Sequence, residues 1–291
     1  MTSQSEIRAQ PVPRPGLWAL TVVAVLVAAF LVWTFATSPN VHWNVIAKYQ
    51  FSHAILQGLL VTVKLAVICE ITGLLLGIVL AVMRLSSSRV LTWLSGLYIW
   101  GFRSVPLLVQ LILWFNLALL FPHIGIPGTS FVVQTNDLIT GFVAALLGLT
   151  LHEAAYNAEI VRGGIAAVDR GQVEAAQALG MSRGLLLRRV VLPQALRVIV
   201  PPAGNQFISL LKNTSLVAFI SGGDLLSTAQ NIYSGNFEVI ALLVVASLWY
   251  LLLVSITSVL QGRLERHFGR SSERSTKPQR DEPAPAAVAG A

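Results

Sequence analysis

The sequence predicts an all-α polytopic membrane protein, and three observations carry that prediction. Of the 291 residues, 55% are apolar and only 11% charged, whereas soluble domains carry about 25% charged residues, and the mean hydropathy is +0.71. Apolar runs of membrane-spanning length recur along the chain. The basic residues fall in short clusters between those runs, as topology determinants do, and not in the continuous stripe that nucleic-acid binding requires. Cys69 is the only cysteine and lies in an apolar run, so an internal disulfide is excluded and a small buried side chain is expected.

Residues 1–16 bury little and are expected to form a disordered tail. Residues 17–36 form the first apolar run, about long enough to cross a hydrocarbon core of roughly 30 Å. An uncleaved helix is expected, because the run exceeds a signal peptide's apolar region and Phe35-Ala36-Thr37-Ser38 is a poor cleavage site. The segment 37–55, with His42, Trp43, Lys48, Tyr49 and His53, suits an amphipathic stretch at an interface. The spacing of its two histidines matches no metal-ligand pattern, and no metal site is expected.

The second span runs from Leu56 to Met83 and holds Glu70. A basic turn, Arg84 to Arg89, follows. The run from Val90 to Phe121 is too long for one straight span and contains Arg103-Ser104-Val105-Pro106. Proline removes a donor and keeps its predecessor out of the helical region. A partly interfacial helix to Phe102 and a span from about Ser104 to Phe121 are therefore expected. Pro122 to Asp137 reads as a loop without Lys or Arg, and Leu138 to about Ile160 as the fourth span. A polar stretch, 161–194, separates it from a fifth span, Ala195 to about Ile220, which contains Pro201-Pro202 and Lys212. A short loop with Asp224 then leads to the last span, Val239 to Leu260, and to a basic tail, 266–291.

Six spans alternate sides. One face then receives Arg8, Arg14, Arg84, Arg89, Arg162, Arg170, Arg183, Arg188, Arg189, Arg197 and the basic residues of the tail, the other only Lys48. Cytoplasmic flanks collect Lys and Arg, so both termini and the 161–194 stretch are expected in the cytoplasm. The seven tryptophans suit anchoring at the interfaces.

Within the polar stretch, Asp169 is placed to cap a helix from Arg170, with Gln172 completing a capping box. Gly180 is placed to end that helix in the left-handed region. Ser182 caps a second helix bearing Arg183, Arg188 and Arg189, which is expected to stop before Pro193. Ala175, Ala176 and Leu179 give this knob a small apolar face, and Glu174 adds one negative charge.

The spacing Glu174-Ala175-Ala176, Gly180, then Val190-Val191-Leu192-Pro193 resembles the EAA motif of the membrane subunits of ATP-binding-cassette (ABC) importers, with Val190 where Ile is usual. Phe102 to Gln110, Ala154 to Ile165, and Lys212-Asn213-Thr214-Ser215-Leu216 make it similar to the polar amino-acid, histidine/glutamine-type permeases. The likeness covers about residues 56–265, the five-span core of that family, leaving 17–36 as an extra helix. Ser104-Val105 stands where Gly-Thr is usual and Asn213 where Asp is usual.

The resemblance implies a permease subunit in the bacterial inner membrane, importing a polar amino acid or small zwitterion. Its implied partners are a second permease subunit, identical or not, two ABC ATPase subunits, an extracytoplasmic solute-binding protein and membrane lipid. No Gly-x-x-x-x-Gly-Lys-Ser/Thr loop occurs in the sequence, so the chain lacks the usual ATP-phosphate cradle; no cofactor and no catalytic residue is expected. By that resemblance Glu174, Ala175, Ala176, Leu179 and Gly180 couple the chain to the ATPase.

Ionisable residues inside spans are costly, about 2.5–3.5 kcal/mol each on insertion scales. Glu70, Glu153 and Lys212 therefore either face a central pathway or pair within the bundle. Arg103, Pro106 and Pro193 read as structural, as do Glu159 and Arg162, whose three-residue spacing suits an ion pair. An ion-gradient-driven carrier or channel is the alternative reading, with Glu70, Glu153 and Lys212 as coupling residues. Such carriers often show inverted repeats, and no internal repeat is visible. A scaffold whose knob merely recruits a partner is a further alternative.

Overall fold

Two glycine-marked helices form the axis on which the rest of the chain packs. The computed structural model describes residues 15–125 and 132–269. The first helices in chain order are α1 (Pro15–Ala36), α2 (Trp43–Gln50), α3 (His53–Arg84), α4 (Arg89–Ser104), α5 (Leu107–Phe115) and α6 (Leu117–Leu120). A short antiparallel hairpin, β1 (His123–Gly125) with β2 (Val132–Gln134), precedes α7 (Thr135–Leu138), α8 (Gly141–Ala166), α9 (Arg170–Ala178) and α10 (Arg183–Leu186). The remaining helices are α11 (Leu192–Asn213), α12 (Leu225–Asn236) and α13 (Val239–Gly269).

In lipid the hydrophobic effect does not hold helices together; close packing through small residues does. The buried face of α3 is built that way, with Gly58, Thr62, Ala66, Cys69, Gly73, Gly77 and Ala81 along it. Opposite it on α8 stand Glu153, Ala154, Asn157 and Ala158, while Gly148 of α8 lies against Leu111 of α5 and Gly164 against Ile199 of α11. At the crossing, Gly73 lies against Glu153 and Gly77 against Asn157, leaving no room for a side chain at either glycine. Leu65, Leu111, Leu149, Leu210 and Val217 fill the central cluster around this pair.

Among the described residues, three helices are individually long and apolar enough to span a membrane: α1, α3 and α13. The pair α4 and α5 also qualifies if taken together, but the two are bent by 100°. Helices α8 and α11 have 26 and 22 residues, lengths of about 39 and 33 Å, and carry the polar residues of the site below.

The structure corrects several expectations. A straight span from Ser104 to Phe121 is absent; α5 has 9 residues, about 14 Å, and is broken again at Asn116. Pro106 causes the elbow by holding Val105 extended (φ −91°, ψ 130°). Gln110 then seals it, its amide donating to the Phe102 carbonyl at 2.9 Å and the Val105 carbonyl at 2.8 Å.

The Asp224 segment is not a loop leading to the last span. It starts the 12-residue α12, with buried Asp224 accepting from Leu226 N at 3.0 Å and Ser227 N at 3.3 Å. The loop after Phe121 contains the small hairpin, with residues 126–131 outside the description. The basic tail begins later than expected, since α13 continues to Gly269; residues 1–14 and 270–291 lie outside the described residues.

Segment 37–55 holds α2, whose Ile46 packs on α13 beside Leu242 and Val245, as does Val41 just before the helix. The Trp249 indole donates to the Gln50 carbonyl at 2.8 Å. The two histidines act separately, His42 on Glu238 at 2.6 Å and His53 beside Gln57. Helix α1 is exposed along the part whose burial is described, and meets the rest at its end, where Phe35 stacks edge-on against Trp43.

Candidate functional site

Two features stand apart from packing: a polar helical hairpin at one end of the bundle, and a polar groove along α8 and α11.

The hairpin follows from its caps. Asp169 Oδ1 accepts from Gly171 N at 2.6 Å and Gln172 N at 3.3 Å, satisfying donors that a helix start leaves free. At the other end Gly180 has φ +75°, its N–H reaches the Gln177 carbonyl at 2.9 Å, and Met181 N reaches the Ala176 carbonyl at 3.2 Å. These paired bonds are a Schellman closure. Ser182 then caps α10 through Leu185 N at 3.4 Å.

Three details differ from expectation. The Gln172 side chain does not complete a capping box; its Oε1 accepts from Gln194 Nε2 at 3.1 Å, tying α9 to the start of α11. The helix opening at Arg183 does not stop before Pro193. It passes through a π-turn, Leu187–Val191, directly into α11. Proline has no N–H and crowds the carbonyl four residues back; the wider turn just before it gives that carbonyl room.

The third detail concerns Ala176, which is only 5% exposed and faces the body of the chain. It cannot belong to the outer apolar face. That face consists of exposed Ala175, Ala178 and Leu179, with Glu174 and Gly180 beside them. Leu179 is 83% exposed, a large apolar side chain held out on a rigidly capped helix.

The groove has a volume of about 520 Å³ and is lined by Arg103, Tyr156, Glu159, Pro202, Asn205, Gln206 and Ser209, among others. Val198, Pro202, Asn205 and Ser209 recur at the four- and three-residue spacing of one helix face. Lys212 continues the same stripe and is exposed. Arg103 stands at the end of α4, its guanidinium 5.0 Å from the centre of the Tyr156 ring. Glu159 holds Arg162 at 2.7 Å.

The structure separates Lys212 from Glu70 and Glu153. Glu153 is 0% exposed and accepts from Gln206 Nε2 at 2.9 Å. Glu70 accepts from Asn157 Nδ2 at 3.3 Å. Both sit behind the groove, between α3, α8 and α11. Lys212 makes no ion pair with Glu153; among the described residues the ion pairs are His42 with Glu238 and Arg162 with Glu159.

Sequence reading gave no role to Gln206 or Gln261. Gln206 joins α11 to Glu153. Gln261 of α13 fills the notch that Gly204 leaves on α11 and donates to the Pro201 carbonyl at 2.9 Å. A glutamine inside an otherwise apolar helix was the available signal, since a buried amide needs a partner.

Residues 73–270 match the protein family described as binding-protein-dependent transport system inner membrane component. The chain is 41% identical over 272 residues to the arginine transport system permease protein ArgU of Corynebacterium glutamicum, covering 92% of this chain and 85% of that one. It is 37% identical over 212 residues to the arginine transport system permease protein ArtQ of Bacillus subtilis, covering 73% and 91%. A solved structure described as an amino acid ABC transporter with histidines superimposes with a TM-score of 0.66 at 33% identity, over 76% of this chain and 97% of that one.

Proposed function

Because the chain belongs to the family of binding-protein-dependent transport system inner membrane components, as the permease subunit of an ABC importer without an ATPase site of its own, we propose that it conducts a polar amino acid along the α8–α11 groove. The observation that carries this reading is the stripe Asn205, Ser209 and Lys212 on an exposed face of α11. At bilayer depth such a face must meet water or protein, because lipid offers polar groups no partners. Arg103 and Lys212 suit a carboxylate, and Asn205 and Ser209 supply hydrogen bonds. The names of the relatives ArgU and ArtQ make arginine the first solute to test.

The membership implies an ATPase and a solute-binding protein as partners. In our reading two permease chains face each other across the groove, six spans cross the membrane, and both termini lie in the cytoplasm, where the basic residues gather. The α9–α10 hairpin then lies in the cytoplasm too, offering Glu174, Ala175, Ala178 and Leu179 to a cleft in the ATPase. Small side chains let a partner's backbone approach closely, and Leu179 gains a buried place there.

The test is uptake of labelled amino acid into ATP-loaded vesicles holding the chain, its ATPase and its solute-binding protein. Uptake is expected only with ATP and ATPase both present. Lys212→Met is expected to lower apparent substrate affinity about tenfold, the scale of one charge-assisted hydrogen bond. Uptake that runs on an ion gradient without the ATPase would sink this reading.

A further inference from the structure

Behind the groove, the carboxyl groups of Glu70 and Glu153 offer more acceptors than their surroundings supply donors. Asn157 Nδ2 reaches Glu70 Oε1 and Gln206 Nε2 reaches Glu153 Oε2, while Glu70 Oε2, Glu153 Oε1 and Asn157 Oδ1 are buried with no partner. Asn157, which donates to Glu70, is itself 0% exposed, so its unpartnered amide oxygen is buried as well. Two ionised carboxylates with no neutralising cation are not sustainable in a low-dielectric interior.

The titratable neighbours on each packed element do not help. On α3, Cys69 is buried and donates to the Leu146 carbonyl. On α8, His152 faces the Gln110 amide. On α4, the Tyr98 hydroxyl donates to the Leu151 carbonyl. On α11, Lys212 is exposed.

We propose that this cluster is a proton-binding site, in which Glu70 and Glu153 together retain one proton and Gln206 makes its retention depend on the position of α11. A proton fits the donor set better than a metal ion does. The amide N–H groups of Asn157 and Gln206 point at the carboxylates, and an N–H repels a cation. Among the described residues no cluster of three acidic, His or Cys side chains could hold a metal.

The link to α11 rests on the transport reading above. A hydrogen bond from Gln206 favours ionised Glu153. When α11 withdraws, Glu153 loses that donor and its affinity for the proton rises. The cluster keeps the same single proton in both positions of α11, and the withdrawn state gives it up to water only at a higher pH, with no other bond made or broken. By reciprocity, acid favours the withdrawn state and alkali the state described here.

Infrared spectroscopy of the reconstituted complex tests the site without reference to transport. The wild type is expected to show the carbonyl stretch of a protonated carboxylic acid at neutral pH, and Glu70→Gln/Glu153→Gln is expected to lose it. A spectrum that the double substitution leaves unchanged overturns the site. The second arm is the pH profile of ATP-driven uptake, expected to change several-fold on the alkaline side of neutrality, where the two positions of α11 differ in proton occupancy, and to flatten in Glu153→Gln. A profile that Glu153→Gln leaves unchanged overturns the link to α11. If no ATP-driven uptake occurs at all, the infrared result still decides the site.

Discussion

Gly180→Val is expected to reduce ATP-driven uptake to the level of vesicles lacking the ATPase, while the chain still inserts and assembles. A Cβ at Gly180 would meet nothing within 4 Å, so crowding is not the cause. The cause is the backbone, because the Schellman closure holds Gly180 at φ +75°. An L-residue pays about 1–2 kcal/mol there, and a β-branched one is a genuine outlier. The cheaper course for the chain is to open the turn, which swings Glu174, Ala175 and Leu179 away from their set position on α9. Gly180→Asn separates the two explanations, since asparagine tolerates this conformation. It should keep most of the uptake, whereas equal loss in both variants would mean that a glycine is needed for contact.

Gly77→Leu is expected to prevent recovery of folded protein, or to lower its thermal transition in detergent sharply. A Cβ at Gly77 would stand 2.8 Å from Asn157 Cβ, 3.0 Å from Ala158 N and 3.1 Å from the Ala154 carbonyl oxygen. Two of those atoms are backbone and cannot turn aside. Overpacking a core costs about 1–3 kcal/mol where side chains can adjust, and here two helices must part instead. Gly262→Leu, on α13, has nothing within 4 Å of its Cβ and should leave the transition in place. A Gly77→Leu protein as stable as the Gly262→Leu one would show that the α3–α8 crossing is not tight.

The residues that disclosed themselves in the sequence act locally. Asp169, Gly180 and Ser182 cap or turn the backbone within three residues, and Glu159 reaches Arg162 one turn away. Composition disclosed the membrane, because transfer into lipid is additive along the chain. Directions across the bundle were not legible. In α9, 9 residues make about two and a half turns, and only the packing against the π-turn decides that Ala176 faces inward and Ala178 outward. Glu153 and Lys212 both read as charges inside spans, yet one is buried against Gln206 and the other is exposed. The second helix of the hairpin ran on because a π-turn leaves no mark in composition, and α12 passed for a loop because its 12 residues, although Leu225, Ala229, Ile232 and Tyr233 form an apolar stripe, are too few to span a membrane.

The unbroken passage from Arg183 through the π-turn to Asn213 makes the hairpin and the groove two stations on a single lever. Its joints are identifiable: the π-turn near one end, and Pro201-Pro202 midway, where Gln261 grips from α13 and acts as the fulcrum. A tilt of about 10° about that fulcrum carries the far end of α11, about 18 Å away, through about 3 Å. A small displacement imposed at the hairpin would therefore reach Lys212 as a movement of about 3 Å in the opposite sense, with no wire of intermediate contacts needed to relay it.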